Sequence, residues 1–180
     1  MKAEEFKKEI IPLQRKLYSF ALRILQNREE SEDVVQEIFV KLWRIRGELE
    51  AVRNREAFAM TMTRNLCLDK MKKKRTLSLD DEYMTHEGTS ESDPVREVQL
   101  NEAIARVNQL VNDLPDQQRM IIQLRDIEGY TSEEVAEILD INQNTLRVSL
   151  SRARQKIREN LVKQYNNGKE EDRETYRKVL

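Results

Sequence analysis

The sequence predicts an all-α fold, with two small helical domains joined by a flexible linker. Composition is the first reason: only four Gly and three Pro occur in 180 residues, and the hydrophobic fraction of 38% barely exceeds the charged fraction of 36%. Such a composition favours helices around small cores. Periodicity is the second reason, because apolar residues recur at three- and four-residue steps along most of the chain. The distribution of charge is the third.

Charge divides the chain into three blocks. Residues 1–75 carry a net charge of +6, residues 76–101 a net charge of −6, and the remainder balances 13 Lys and Arg against 14 Asp and Glu. We therefore expect a first domain over residues 1–75, an acidic linker over residues 76–100, a second domain over residues 101–164 and a polar tail over residues 165–180. The charge of the linker would repel nucleic acid.

The first domain is expected to begin with a helix over Glu4–Gln26. Pro12 falls inside this pattern and predicts a kink or a late helix start. A short connection leads to a second helix over Glu32–Arg46, for which Ser31 and Asn27 are both possible N-caps.

The second helix has an apolar face and a polar face. The apolar stripe comprises Val35, Ile38, Phe39, Leu42 and Ile45. The outward side chains are Asp33, Gln36, Glu37, Lys41 and Arg44. Periodicity alone leaves open whether this polar face is only solvated or binds a partner.

A third helix is expected over Ala57–Lys74, with Phe58, Met62, Leu66, Leu68 and Met71 as its apolar residues. It ends in a cluster of five cations within six positions: Lys70, Lys72, Lys73, Lys74 and Arg75. The helix dipole favours cations at a C-terminus, but five exceed what capping needs. We interpret the cluster as a surface that binds the backbone of nucleic acid.

The second half of the chain begins with a linker over Thr76–Asp93, where no helical period is found. Pro94 suits the first turn of a helix over Val95–Asn112. A further helix is expected over Asp116–Glu128, with Gly129 as its C-cap. Its predicted buried residues are Met120, Ile121, Leu124 and Ile127.

A helix-turn-helix follows. Thr131 and Glu134 form a capping box that starts one helix at Ser132, and Asn142 is a suitable N-cap for the next. The buried stripe of the second helix is Leu146, Leu150, Ala153 and Ile157. Its opposite face carries side chains that can reach phosphates and base edges: Gln143, Asn144, Arg147, Ser151, Arg154 and Arg158. The alternative is an ordinary solvated basic face on a helical hairpin.

Other classes of function find little support. No Gly-rich phosphate loop or nucleophile–base set is visible, so we expect no enzyme. The single Cys67 cannot form an internal disulfide and is interpreted as a core residue, and with the lone His86 it offers no metal site. We expect no cofactor and no small-molecule substrate. Without a membrane-spanning run or a signal-peptide core, the chain is expected to stay in the cytoplasm.

Four stretches, in order, resemble the extracytoplasmic-function group of bacterial sigma-70 factors, and together they cover nearly the whole chain. They are Asp33-Val34-Val35-Gln36-Glu37 followed by Trp43, Arg64-Asn65 before the basic cluster, Leu114-Pro115 with Gln118-Arg119, and SLSRARQKI over Ser149–Ile157. Each stretch is weak evidence alone, whereas the set at these separations is specific.

The resemblance implies partners. The family's equivalent of the second helix meets the clamp helices of the RNA polymerase β′ subunit, which would make its polar face a surface for core polymerase, the assembly that contains β′ and β. The first domain would be sigma region 2, and the second would be sigma region 4. An anti-sigma factor is the inhibitor that the resemblance implies.

The resemblance also implies promoter contacts. The loop over residues 47–56 and Arg64-Asn65 would engage the minus-10 element and hold an extruded base, while Lys70–Arg75 would hold the backbone. The helix from Gln143 would enter the major groove at the minus-35 element, and the acidic linker would thread through the polymerase.

Two departures concern promoter choice. Phe58-Ala59-Met60 stands where many members carry an aromatic-rich pair, and Asn144, Arg147, Val148 and Ser149 stand where Gly, Lys, Ser and Arg are frequent. The first departure concerns how the melted strand stacks, and the second means that the promoter preference should not be taken from better-known relatives. The rival function is a stand-alone helix-turn-helix repressor or activator, which would bind duplex DNA as a symmetric dimer without polymerase.

Overall fold

The computed structural model describes the backbone over residues 1–77 and 96–179, and side chains over residues 1–74 and 104–163. The elements in these ranges are helices and turns, with no strand among the described residues, which confirms the all-α prediction. Most of the expected acidic linker, including Pro94, lies outside the described residues. Its two ends, residues 76–77 and 96–100, are helical.

Pro12 divides the first predicted helix into two. Helix α1 spans Ala3–Glu9, a short 3-10 turn spans Ile11–Leu13, and helix α2 spans Gln14–Leu25. The 3-10 turn forms because Pro has no N–H to continue the α-helical pattern and is tolerated in a first turn. The proline therefore produces a break rather than a kink.

Helix α3 spans Arg28–Arg44 and starts four residues earlier than predicted. Its N-cap is Asn27, whose Oδ1 accepts a 3.0 Å hydrogen bond from the Glu30 N–H. Ser31 is buried inside the first turn instead, and its hydroxyl donates to the carbonyl of Asn27. The apolar stripe is as predicted: Val35, Ile38 and Leu42 are buried, and Phe39 and Ile45 pack against the same core.

Helix α4 spans Arg55–Leu77 and is covered from several sides, because it contacts α2 and α3. Its most buried line is Ala57, Ala59, Met60, Thr63 and Cys67. The residues predicted as its apolar face, among them Phe58, Met62, Leu66 and Met71, are only partly buried along the edges of the core. Small residues allow the neighbouring helices to approach the α4 backbone, which apolar periodicity does not reveal.

Helices α5 (Arg96–Asn112) and α6 (Asp116–Ile122) are followed by a π-helical turn over Gln123–Ile127. In that turn the Glu128 N–H donates to the Gln123 carbonyl five residues earlier, at 2.9 Å. The predicted burial of Ile127 is wrong, since this side chain is 51% exposed. The wider turn changes the direction in which residue 127 points. Gly129 then adopts a φ of +79°, consistent with its predicted role as a C-cap.

The helix-turn-helix has the predicted caps. Helix α7 spans Ser132–Leu139, and its capping box joins Thr131 and Glu134 through reciprocal hydrogen bonds of 3.2 and 2.9 Å. Asp140 makes the turn in the left-handed region, with a φ of 51°. Helix α8 starts at Gln143 and runs to Val179, so it is far longer than the short second helix that the sequence predicts.

Residues from both halves of the chain share one buried cluster. Leu17 and Phe20 of α2 lie in the same cluster as Ile121, Leu124 and Val135. Helix α2 contacts α6, and α4 contacts α7. A second, smaller cluster comprises Val111, Leu114, Ile122 and Ala153. Truncating a fully buried side chain such as Leu17 to Ala would cost about 2–5 kcal/mol.

Candidate nucleic-acid interface

The predicted DNA-contacting face of α8 is exposed along its described length. Its members Gln143, Asn144, Arg147, Ser151, Arg154 and Arg158 are all exposed. Leu146 and Ala153, on the opposite face, are buried. Asn142 Oδ1 accepts a 2.8 Å hydrogen bond from the Thr145 N–H, which satisfies a free donor at the start of the helix. The local sequence therefore fixes both where α8 starts and which face it presents.

Arg154 is not free to contact DNA in this arrangement. Its guanidinium makes a bidentate pair with Asp126, with Nε–Oδ2 at 2.9 Å and Nη2–Oδ1 at 2.5 Å. The hydrogen bonds to Asp126 raise the pKa of Arg154 above its ordinary value. Arg154 thus connects α8 to the π-helical turn, and the sequence did not reveal this pairing because the two residues are 28 positions apart.

The basic cluster lies at the C-terminal end of α4. Lys72, Lys73 and Lys74 are exposed and Lys70 is partly exposed, whereas the side chain of Arg75 lies outside the described residues. Lys74 Nζ pairs with Glu30 of α3 at 2.9 Å, between two partly exposed groups. Such an ion pair at the surface contributes little to stability.

Arg64 and Asn65 lie one to two turns before this cluster on α4. Asn65 is exposed, and Arg64 is half-buried, with its Nη1 3.3 Å from Asn65 Oδ1. The Nε of Arg64 is buried without a hydrogen-bond partner among the described residues. Cys67 lies on the buried face of the same helix, which confirms it as a core residue, and burial raises the pKa of its thiol to about 12.

The loop before α4 contains a short 3-10 turn over Glu48–Glu50 and is anchored to its surroundings. The buried Leu49 has its carbonyl bonded by Arg55 Nε at 2.9 Å, and Arg55 also pairs with Glu9 of α1 at 2.5 Å. Asn54 caps α4 by accepting from the Ala57 N–H at 2.9 Å. A polar cleft lies here, lined by Glu9, Leu13 and residues 53–56.

The outward face of α3 is also largely exposed to solvent. Asp33, Gln36, Lys41 and Arg44 are exposed; Glu37 is half-buried and pairs with Lys41 at 2.8 Å. Two apolar residues that the sequence interpretation did not assign to this face are exposed as well, Val40 at 49% and Trp43 at 42%. Their helical positions between Gln36 and Arg44 are the signal that could have identified them.

Trp43 is held in a fixed orientation. Its ring makes an edge-to-face contact with Phe6 of α1, with centroids 5.1 Å apart, and the guanidinium of Arg46 lies 4.5 Å from the ring centroid. Together with Val40 it gives the α3 face an apolar centre surrounded by charges. This pattern is typical of a protein-binding surface.

None of the helices within the described ranges is long and apolar enough to cross a membrane. The described residues also hold no group of His, Cys, Asp and Glu side chains placed to bind a metal ion.

Comparison with known proteins matches both halves of the chain. Residues 10–76 match the family model for Sigma-70 region 2, and residues 104–157 match that for Sigma-70, region 4. The ECF RNA polymerase sigma factor SigW of Bacillus subtilis is 28% identical over 158 residues, which cover 81% of this chain and 83% of SigW. The probable RNA polymerase sigma factor RfaY of Xanthomonas campestris pv. campestris is also 28% identical over 158 residues, but only 39% of RfaY is covered.

The fold is likewise similar to a solved structure. The co-crystal structure of the sigma factor RpoE with the anti-sigma factor NepR from Bartonella quintana matches with a TM-score of 0.70 and 24% identity, covering 88% of this chain and 98% of that one.

The two matched ranges together cover more than half of an all-helical chain, and each contains one of the exposed faces described above. The chain therefore belongs to the sigma-70 family. Within that family it is a sigma factor of the extracytoplasmic-function type, as its relatives such as SigW are.

Proposed function

We propose that this sigma factor binds core RNA polymerase through the outward face of α3 and directs it to a promoter that it reads at two elements. The observation that carries the proposal is that the α3 face and the α8 face are both exposed in a chain matched by both region models. The sigma factor would act in the cytoplasm and have no catalysis of its own.

The core-binding surface would combine charge with apolar contact. Asp33, Gln36, Glu37, Lys41 and Arg44 supply polar groups around Val40 and Trp43. In protein interfaces an apolar centre supplies most of the affinity, while the surrounding charges steer association and select the partner. The pair between Glu37 and Lys41 would orient both side chains before binding.

Promoter opening would depend on the loop over residues 47–56 and on α4. Extruding a base from the stack costs a few kcal/mol, which contacts to the polymerase and to the single strand must offset. Asn65 is exposed and can hydrogen-bond a base edge. Lys70, Lys72, Lys73, Lys74 and Arg75 would then hold the backbone, with an affinity that falls as salt rises.

The minus-35 element would be read by the start of α8. Gln143, Asn144 and Arg147 lie in its first two turns and are exposed. Amide and guanidinium groups at these positions can form paired hydrogen bonds with adenine and guanine in the major groove, each worth about 1–3 kcal/mol of discrimination. Ser151, Arg154 and Arg158, farther along the helix, would contact phosphates, Arg154 only after leaving Asp126.

The test is run-off transcription from a promoter library by purified core RNA polymerase, with and without the chain. Transcripts that appear only with the chain would support the proposal and identify the promoter. If the chain neither binds core polymerase nor starts transcripts, yet shifts duplex DNA alone, a stand-alone repressor or activator replaces it.

A variant pair tests the core-binding surface. Replacing Asp33 and Glu37 together by Ala should weaken binding of core polymerase at least tenfold, measured by displacement of a labelled sigma factor. The matched control replaces Glu133 and Glu137 by Ala, because these are likewise two carboxylates four residues apart on a helix, and both are exposed. Equal losses in both variants would show a general effect of charge rather than a specific surface.

An anti-sigma factor is the proposed inhibitor. The solved relative with the same fold, RpoE of Bartonella quintana, is in complex with the anti-sigma factor NepR. Co-purification of the tagged chain from its own cells, followed by loss of transcription when the captured protein is added back, would test this partner.

A further inference from the structure

An exposed apolar residue lies in the middle of the polar face of α8. The side chain of Val148 is 48% exposed, although the residues two positions before and after it, Leu146 and Leu150, pack into the core. Consecutive residues of an α-helix are rotated by about 100°, so Val148 points about 160° away from each of these leucines. It therefore lies almost opposite the buried side of the helix.

Val148 shares its face of α8 with polar residues. Asn144, Arg147 and Ser151 are exposed, and together with Val148 they occupy positions i, i+3, i+4 and i+7, the spacing of a single helix face. Val148 is the apolar member of this set. Apolar periodicity points to buried residues, so it gives no role to a valine that the fold leaves in solvent.

The fold holds Val148 in a defined direction. Asn142 caps the first turn of α8, and the turns on either side of Val148 are anchored by Leu146 and Ala153, which are 2% and 0% exposed. A β-branched side chain in a helix has one strongly preferred χ1 rotamer, so the two γ methyl groups of Val148 keep a fixed orientation. Such a side chain loses little conformational entropy when another surface covers it.

The second turn of α8 would face base edges if the helix enters the major groove as proposed. Among the groups that base pairs present there, the thymine 5-methyl is apolar and the others are hydrogen-bond donors or acceptors. A valine pressed against a G·C pair would cover an amino or carbonyl group without offering it a hydrogen bond, which is unfavourable. Against a thymine, the same valine would bury one methyl group.

We propose that Val148 determines specificity in the minus-35 element by covering the 5-methyl group of one thymine. This inference rests on the proposed function. The preferred base pair is then an A·T pair whose thymine lies under the second turn of α8, while Asn144 and Arg147 read neighbouring pairs through hydrogen bonds.

Deoxyuridine isolates this contact, because it differs from thymidine only in lacking the 5-methyl group. It would replace each thymine of the minus-35 element in turn, on a promoter obtained from the run-off library. The holoenzyme with the wild-type chain should bind one of these duplexes about fourfold more weakly, the factor expected for one methyl group that is no longer buried. All hydrogen-bonding groups of the base stay the same.

The test variant is Val148→Ala, which removes both γ methyl groups. Ala is the better helix former, so the variant should fold normally. Its holoenzyme should bind the thymine and deoxyuridine duplexes equally, and its affinity for core polymerase should be unchanged.

Val162→Ala is the matched control. Val162 is 52% exposed on the same helix, but it lies about four turns beyond Val148 and outside the range 104–157 that matches Sigma-70, region 4. This control should keep the fourfold preference for thymine.

Three results would overturn the role of Val148. The wild-type holoenzyme would show no preference at any thymine of the element, the Val148→Ala holoenzyme would retain the preference, or Val148→Ala would weaken binding of core polymerase and so identify Val148 as a protein contact. In each case the transcripts that depend on the chain would still support the proposed function. If no such transcripts appear, the proposed function fails and this inference fails with it.

Discussion

Among the described residues, the buried polar side chains Ser31, Thr63, Arg119 and Gln123 each make at least one hydrogen bond, although the Nε of Arg119 has no partner there. The Ser31 and Thr63 hydroxyls donate to carbonyls four residues earlier in their own helices. Gln123 accepts from Arg23 and donates to Glu128. Arg119 donates to the Asn112 carbonyl at 2.7 Å and to Asp116 at 2.6 Å. Burial lowers the pKa of Arg119, and the charge of Asp116 opposes that shift.

The structure gives a role to Arg119, a motif residue to which the resemblance assigned none. It is 6% exposed and satisfies a carbonyl at the end of α5, so it supports structure rather than DNA binding. Arg119→Ala should lower the free energy of unfolding by about 1–3 kcal/mol, because it removes the two hydrogen bonds that Arg119 donates to the Asn112 carbonyl and to Asp116. Urea titration followed by circular dichroism measures this. A change below about 0.5 kcal/mol would contradict the structural role.

Arg147 is expected to select bases rather than to stabilise the fold. It is exposed in the second turn of α8, so Arg147→Ala should leave the unfolding free energy nearly unchanged. Promoter affinity should fall by about 1–3 kcal/mol, with relaxed choice at one minus-35 position. Selection of randomised promoters by the holoenzyme measures both. Arg152→Ala is the control, because Arg152 is an exposed arginine off the proposed face; equal relaxation by both variants would refute the assignment.

Asn65 is expected to act after promoter binding. Its side chain is exposed on α4 and accepts a 3.3 Å hydrogen bond from Arg64, so Asn65→Ala should fold normally. We expect closed-complex formation to persist while strand opening falls, since a contact to an extruded base is lost. Permanganate footprinting detects unpaired thymines directly. Asp69→Asn, one turn later and also exposed, is the control, and wild-type opening by the Asn65 variant would disprove the role.

At the scale of elements, the residues at which helices begin and end are determined by local chemistry. The breaks at Pro12, Gly129 and Asp140 and the caps at Asn27, Thr131 and Asn142 each act within a few residues of chain. The sequence therefore predicted most helices to within a few residues. It did not predict the π-helical turn over residues 123–127, because the five-residue hydrogen bond from Glu128 to Gln123 leaves no signal in the apolar periodicity.

The contribution of the N-cap at Asn142 to stability can be tested. Its carboxamide oxygen satisfies the Thr145 N–H at the start of α8. Asn142→Ala should cost about 1 kcal/mol of folding free energy and loosen the helix end that carries Gln143 and Asn144. Asn142→Asp keeps an acceptor and should retain stability. Denaturant unfolding and hydrogen exchange at residues 143–146 measure the two effects; equal stability of the Ala and Asp variants would show that the cap is dispensable.

At the scale of the whole molecule, the hydrogen bonds that Glu56 accepts from Lys16 and Tyr130 join the two halves of the chain over a defined pH range. Burial raises the pKa of Glu56, but hydrogen bonds from Lys16 and Tyr130 outweigh it and hold that pKa below its ordinary 4.5. Burial first, and then the bond to Glu56, raise the pKa of Tyr130 above its ordinary 10.0, with Glu128 and Glu134 adding to the shift. A lowered carboxyl pKa stabilises the folded contact until pH falls through that pKa, whereas a raised phenol pKa stabilises it until pH rises past 10.

The contribution of this contact to the free energy of unfolding, measured by urea titration at each pH, should therefore stay constant between about pH 5 and pH 9 and fall outside that range. Tyr130→Phe should abolish the loss at alkaline pH and keep the loss at acid pH, because Glu56 still pairs with Lys16. A transition near neutral pH in the wild-type chain would show that other groups control the contact.

The sequence by itself determined the helices, their caps, the helix-turn-helix and the charged faces that they expose. These features depend on periodicity and on hydrogen bonds between residues three or four positions apart, and both can be recognised in the sequence. Only the tertiary structure decided which line of α4 is buried, that Arg154 pairs with Asp126 over 28 positions, and that Arg23 meets Gln123 over 100 positions. Such contacts arise from packing between distant helices, and no local pattern specifies them.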